Sequence, residues 1–401
     1  MVKMHRIGLV LSAAPGYSET FFRNKIKGLQ ENGAAVMLFV GGAKQRQQDM
    51  PCAVFYAPDY GSSVLTSFLN GILQVIKAVF VNPKRSARLY FLERKDGRSF
   101  IASVKTLLAN QHILSQELDF LHFGFGTMAI GRENVAKAMG AKMAASFRGF
   151  DIGIYPLRNP GCYKLLFDKA DKIHVISNDL EQLLYQNGLD RQRANVVKIT
   201  PAIDSRFFTP VIAAEESEKI VQFITLARLN WKKGLEYTLE ALALLKQKGI
   251  AFHYTIVGDG PEKERLIFAA YQLGLLENVT FTGKKSHGEV KLLLEKATVY
   301  LQYSLQEGFC NAVLEAQAMG LLCVVSNAEG LSENVLDNET GWVVAKRNPV
   351  ALAKKMQEVI ALEATEKEKI RLKAIERVRN QFNLEKQQQE FLEFYDIKNK
   401  K

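Results

Sequence analysis

Glu307 and Glu315 stand eight positions apart in the run Glu307-Gly-Phe-Cys-Asn-Ala-Val-Leu-Glu315. The apolar run 297–303 before it reads as a buried strand. Residues 311–319, closed by Gly320, read as a helix with Asn311 at its N-cap. Glu307 then falls in the strand-to-helix loop and Glu315 in the first helical turn. The free amides of Phe309, Cys310, Asn311, Ala312 and Val313 would face the same space, and a helix N-terminus is a ready anion site. Two acids with a fan of donors between them suit a ligand carrying both hydroxyls and phosphates. Acids near a helix start also serve simply to complement its dipole, and the pair alone does not separate these readings.

A second feature carries phosphate chemistry. Residues 220–227 form an apolar run of strand type. Arg228-Leu-Asn-Trp-Lys-Lys-Gly234 follows, then a helical pattern with Leu235, Leu239, Leu242 and Leu245 on one face. Arg228 therefore lies at a strand's carboxyl end and Lys233 at a helix start, where open α/β sheets bind ligands. Their charges suit a diphosphate, arginine by its planar fork and lysine as a point charge.

The elements that must position these residues alternate regularly. Strand-like runs occupy 5–11, 34–40, 119–123, 142–147, 172–176 and 195–199, with helical runs between them, including 17–31 and 178–187. The second half repeats the scheme with strands at 220–227, 252–257, 278–281, 298–303 and 321–326. Such alternation implies parallel sheets covered on both faces, and 401 residues suffice for two such domains. Pro201 and Pro210 mark 201–214 as the connector. The expected fold is α/β, two Rossmann-like domains whose parallel sheets face one another across a cleft. His122 and His174 occupy buried strands, which favours satisfied core histidines.

A net charge of +11 points either to an anionic partner or to no particular partner. No basic-aromatic stripe or zinc finger supports nucleic acid. The run 64–81 places Leu65, Phe68, Leu69, Ile72, Leu73, Ile76, Val79 and Phe80 on one helical face, with Thr66, Asn70, Gln74 and Lys77 on the other. Lys84, Arg85, Arg88, Arg94, Lys95 and Arg98 follow. This suits a helix lying on an anionic membrane surface, and equally a helix packed on its own domain with basic flanks. One polar side and a length near the minimum make it a poor membrane span. No charged leader with an apolar core and cleavage site is evident, so a cytoplasmic location is expected, with peripheral attachment at the inner face of the plasma membrane as its membrane-bound form. Cys52, Cys162, Cys310 and Cys323 show no Cys-x-x-Cys spacing, against zinc and a disulfide framework. No His or Asn partner marks Cys310 as a nucleophile.

Seven motifs in order carry a resemblance: Pro15-Gly-Tyr-Ser-Glu-Thr-Phe21, Ser146-Phe-Arg-Gly-Phe-Asp151, Thr200-Pro-Ala-Ile-Asp-Ser-Arg-Phe207, the 228–234 segment, Val257-Gly-Asp-Gly-Pro261, the two-glutamate run and Asn338-Glu-Thr-Gly341. The chain resembles a family 4 retaining glycosyltransferase of GT-B fold, close to the bacterial exopolysaccharide (colanic-acid-type) group. The resemblance implies an acceptor-side domain over 1–205, with a C-terminal helix in 384–401 crossing back to it, and a donor domain over 206–383. It implies transfer from a nucleotide diphosphate sugar to a glycan or lipid-linked glycan in cell-surface polysaccharide synthesis, with no metal and no cofactor beyond the donor.

By the same resemblance, Arg228 and Lys233 neutralise the diphosphate and Glu315 accepts the ribose hydroxyls. Glu307 holds the donor sugar, assisted at Phe309, Cys310 and Asn311. Gly16 leaves the backbone room to approach the phosphates, and Gly258 and Lys284 belong to donor-side loops. Asp259 reads as a turn residue. Tyr17, Ser18, Glu19 and Asp151 line the acceptor side, although Ser18 equally suits a helix cap. Many relatives carry His where this chain has Arg148, and a guanidinium does not relay protons at neutral pH; Arg148 is therefore expected to bind phosphate or an anionic acceptor. A second departure is Ala202, where Gly is common. A same-fold nucleotide-sugar epimerase and a non-catalytic nucleotide-sugar-binding protein are the alternative readings.

Overall fold

The computed structural model describes residues 4–15, 20–41, 50–58, 64–192, 195–210 and 220–397. The chain divides into two compact units, Met1–Ile199 with Gln388–Lys401, and Thr200–Gln387.

The first unit is built on seven parallel strands: β1 (Arg6–Leu11), β2 (Ala35–Val40), β3 (Ala53–Tyr56), β4 (Phe120–Phe123), β5 (Lys142–Phe147), β6 (Lys172–Val175) and β7 (Val196–Lys198). Their order is β3-β2-β1-β4-β5-β6-β7. Helices cover both faces of such a sheet, so its central strands are apolar throughout rather than alternating; β4 is buried at every position. The core joins Ile7, Leu9, Ile26 and Leu38 to Phe391, Phe394 and Tyr395 from the chain's C-terminal end. Helix Leu384–Phe394 thus delivers its aromatic end to this unit.

Inside that core runs a chain of hydrogen bonds whose direction is fixed by its last acceptor. His174 Nε2 lies 3.0 Å from the carbonyl oxygen of Ile199, so it carries the proton. His174 Nδ1 then accepts from Ser146 Oγ at 2.8 Å. Ser146 in turn accepts from His122 Nε2 at 2.7 Å, and His122 Nδ1 accepts from the Tyr395 hydroxyl at 2.6 Å. Both imidazoles are neutral core residues. Burial holds their pKa values well below the ordinary one, and the buried Lys25 adds to this.

The second unit holds six parallel strands: β8 (Val221–Leu226), β9 (Phe252–Val257), β10 (Val279–Gly283), β11 (Val299–Gln302), β12 (Leu322–Ser326) and β13 (Trp342–Val344). Their order is β10-β9-β8-β11-β12-β13. Leu239, Leu242, Tyr254, Leu301, Val324 and Trp342 are among its core residues. β3 and β13 are absent from the sequence reading; four and three residues carry too little periodicity to register.

Candidate functional site

In the second sheet the chain runs outward from β8 to β9 and β10, then crosses back to place β11 on the other side of β8. The loops leaving β8 and β11 therefore diverge from a topological switch point, where open α/β sheets form their ligand crevice. Arg228 and Lys233 follow β8, and Glu307 follows β11. The two loops are bound to each other: the amides of Leu305 and Gln306 donate to the Lys232 carbonyl at 2.6 and 3.4 Å. Gly234 makes this approach feasible. Its φ is +58°, and a Cβ there would lie 2.2 Å from the Tyr303 carbonyl oxygen. The loop after β12 joins them through the Gly330 amide, which donates to the Glu307 carbonyl at 3.0 Å.

Within this frame the Lys233 ammonium closes on the Glu307 carboxylate, both side chains being about 15% exposed (15% and 16%). Burial opposes the lysine's charge, but Glu307 outweighs it and raises the pKa above the ordinary value. Ser304 Oγ donates to the same carboxylate at 3.3 Å. The Glu307 amide donates to Glu329 Oε2 at 2.8 Å, and Glu329 is held in turn by Lys346 at 3.5 Å. Arg228 is exposed and has no ion-pair partner among the described residues. The site thus presents the buried Lys233–Glu307 pair, the Lys346–Glu329 pair behind it and an open guanidinium.

Helix Asn311–Ala318 differs from the sequence reading at its start. Cys310, not Asn311, is the N-cap, so Asn311 is the first helical residue and Glu315 the fifth, one place beyond the first turn. Of the amides expected to be free, that of Cys310 has a hydrogen-bond partner, donating to Asn334 Oδ1 at 2.9 Å. The amides of Ala312 and Val313 face the Cys310 sulfur. Among the described residues, Phe309 and Asn311 keep open amides. Burial pushes the Cys310 thiol up to about 12, which keeps it protonated and unreactive. Glu315 is half-buried, and burial pushes its carboxyl up to about 7.

The flanking loops are structural in large part. A Cβ on Gly258, whose φ is +140°, would lie 1.9 Å from the Ala227 carbonyl oxygen, so glycine there serves backbone packing. Asp259 is a turn residue: its Oδ1 accepts from the Gly260 amide at 2.9 Å and its carbonyl from Leu229 at 3.0 Å. Lys284 is exposed just after β10, the edge strand farthest from β11 on that side.

In the first unit, Arg148 follows β5 and its guanidinium lies 3.7 Å from the centre of the Phe21 ring. The Asp151 carboxylate is buried and accepts from the amides of Arg148 and Gly149, each at 2.9 Å, and Gly126 at 3.2 Å. These bonds shape the Arg148 loop. Gly16, Tyr17, Ser18 and Glu19 lie outside the described residues. Sequence reasoning missed Glu329 and Asn334. The first had a signal: Glu329-Gly330 after β12 repeats the Glu307-Gly308 pair after β11. Asn334 had none, since its partner Cys310 is a backbone group 24 positions away.

Residues 210–381 match the family model described as glycosyl transferases group 1. The chain is 30% identical over 270 residues to an Escherichia coli protein named as a colanic acid biosynthesis glycosyltransferase, WcaL, covering 65% of this chain and 66% of that one. It is 29% identical over 270 residues to the amylovoran biosynthesis glycosyltransferase AmsK of Erwinia amylovora, covering 64% and 66%. The matched region thus spans about two thirds of these relatives' length. Among solved structures, the chain is similar to a glycosyltransferase of Rickettsia africae (TM-score 0.70, 18% identity, 98% of both chains). It is also similar to Anabaena Alr3699/HepE in complex with UDP and glucose (TM-score 0.70, 17% identity, 98% of this chain and 99% of that one). The two parallel-sheet domains are those of the GT-B fold.

Proposed function

The chain belongs to the group 1 glycosyltransferases, and on that premise we propose that it moves a hexose, with retention of configuration, from a nucleoside diphosphate sugar to a glycan or lipid-linked glycan acceptor. The product would be a cell-surface polysaccharide, a reading supported by the names of WcaL and AmsK. A lipid-linked acceptor would put the work at the inner face of the plasma membrane.

The observation that carries this reading is the Lys233–Glu307 pair at the switch point of the second sheet, with Arg228 open beside it. As the bond from sugar to phosphate stretches, negative charge grows on the β-phosphate and positive charge on the sugar ring. Fixed cations and amides aimed at the developing negative charge stabilise that state most, because they need no reorganisation when it forms. Arg228 and Lys233 would take the diphosphate, with the open amides of Phe309 and Asn311 assisting. Glu307 would orient the donor sugar through its hydroxyls while holding Lys233 in place. Glu315 would accept from the ribose hydroxyls, its carboxylate offering two acceptor oxygens. The chain's own cations then serve the leaving group, and the reading includes no metal or cofactor. In the first unit, Arg148 would meet phosphate or an anionic group of the acceptor.

Calorimetric titration with a panel of nucleoside diphosphate sugars, followed by turnover with and without glycan acceptors, tests the proposal. Acceptor-dependent release of nucleoside diphosphate is the expected result. Donor conversion without acceptor would replace transfer by epimerisation, and tight binding without turnover would leave a non-catalytic binder; the named relatives favour transfer over both.

A further inference from the structure

Helix Val64–Phe80 is mounted with its large apolar residues outward. Gln74 and Ala78 are buried, at 8% and 3% exposure, whereas Phe68, Leu69, Ile72, Ile76, Val79 and Phe80 are between 42% and 77% exposed. At 3.6 residues per turn those six cover about a third of the circumference. The helix therefore rests on helices Pro83–Lys95 and Phe100–Ala109 through its small and polar side. Those neighbours expose large apolar residues of their own, Phe91, Phe100 and Ile101, each more than 60% exposed. Single exposed apolar residues are ordinary, but a contiguous patch of this kind marks an interaction surface.

Charge says what the surface meets. Residues 64–109 contain eight basic residues and two acidic ones, a net of +6 against +11 for the whole chain. Both acids are turned inward: Glu93 is buried against Arg98 and Asn134, and Asp96 is held by Lys169 and Asn134. Lys77, Lys84, Arg88, Arg94 and Lys95 are exposed. We propose that this face docks the chain on an anionic lipid bilayer, the apolar stripe entering the acyl boundary and the basic residues meeting headgroup phosphates. A second copy of the chain is the poorer occupant, because a two-fold pair would set the same basic flanks against each other. The helix lies in the plane of the surface. Its 17 residues span about 25 Å, short of the roughly 30 Å of hydrocarbon, and no described helix is long and apolar enough to cross a membrane.

The inference deepens the lipid-linked reading of the acceptor and rests on it for its purpose, but its test needs neither donor nor acceptor. The full-length protein is floated with vesicles of phosphatidylcholine alone, and of equal parts phosphatidylcholine and phosphatidylglycerol. Binding is expected only to the anionic vesicles and is expected to fall as salt rises. Ile76→Glu should lower partitioning by at least about tenfold, the burial of one apolar side chain being lost and a repelled charge added. Lys84→Ala and Arg88→Ala, both at exposed positions, should each lower it about fivefold. All three variants should keep the parent's thermal midpoint and its affinity for nucleoside diphosphate, which separates loss of docking from loss of fold or site. Equal binding to both vesicle types, or binding to neither, would overturn the proposal. So would concentration-dependent dimerisation abolished by Ile76→Glu without vesicle binding, which would make the face an interface between copies.

Discussion

Lys233 and Glu307, 74 positions apart in the chain, close into an ion pair at the point where the second sheet reverses its strand order. The pair is largely buried, so its members depend on each other: removing either leaves the other desolvated and uncompensated. The cation proposed for the phosphates and the acid proposed for the sugar are thereby fixed relative to one another. The second tie on Glu307, from its amide to Glu329, holds the backbone of the same loop.

Lys233→Ala and Arg228→Ala should both weaken binding of a nucleoside diphosphate, by about 1.5–3 kcal/mol for a charge-assisted contact. Lys233→Ala should also lower thermal stability, because it strands Glu307. Arg228→Ala should leave stability unchanged, its side chain being exposed and without an ion-pair partner among the described residues. Calorimetry and thermal melts separate the two effects. Unaltered nucleotide affinity in both variants would remove the phosphate assignment.

The two glutamates should divide by substrate part. Glu307→Gln should lower turnover far more than affinity for free nucleotide, since its proposed partner is the sugar. Glu315→Gln should show the reverse emphasis through the ribose. Coupling to Lys233 adds a second expectation for Glu307: in a double-mutant cycle the Glu307→Gln and Lys233→Ala effects should be non-additive by about 0.5–3 kcal/mol. Strict additivity would mean that the pair does not act as a unit.

Glu315 also predicts a pH dependence. Its carboxyl is pushed up to about 7 by burial, so the ionised form proposed to accept from the ribose hydroxyls is lost as pH falls through that value. Each pH unit below it should weaken nucleotide binding by up to about tenfold. In Glu315→Gln the profile should be shallower over the same interval, keeping only the titration of the ligand's own terminal phosphate. A wild-type affinity that is constant across pH 7 would show that the ionised carboxylate is not the nucleotide's acceptor.

The sequence made the strands and the chemistry of the second unit readable because both are local. Apolar runs bounded by Gly, Pro and charged residues mark β8, β11 and β12, and the acids and cations sit just past their ends. What it could not supply is pairing across the chain. That Lys233 meets Glu307, that Asn334 occupies the Cys310 amide, and that Asp151 also takes the Gly126 amide are products of strand order, which no local pattern encodes. The helix at Val64–Phe80 shows the same boundary from the other side. Its amphipathic period was legible, whereas the side that faces the protein was not, because a buried Gln74 and Ala78 contradict the usual rule that the apolar stripe packs inward.

The hydrogen-bond chain in the first unit gives a stability prediction whose sign can be worked out. His122 and His174 have folded-state pKa values well below 6.5, through burial first and the nearby Lys25 second. In the unfolded chain both titrate near 6.5. Below that pH the unfolded state binds the extra protons, so the stability the two histidines contribute should be fully present above pH 6.5 and fall as the medium becomes more acidic. Each histidine contributes a slope of about 1.4 kcal/mol per pH unit until its folded pKa is reached. Lys25, also buried and depressed by desolvation, adds a slope of the same sign that begins at higher pH, below its ordinary value of 10.5. Thermal or urea unfolding of the parent should therefore show a marked acid-side loss starting near pH 6.5. A His122→Gln/His174→Gln variant should be less stable at neutral pH, because the ordered chain from Tyr395 to Ile199 is broken, yet its stability should depend less on pH between that point and mild acid. Should the two proteins lose stability in parallel as pH falls, the histidines would not be the groups that titrate.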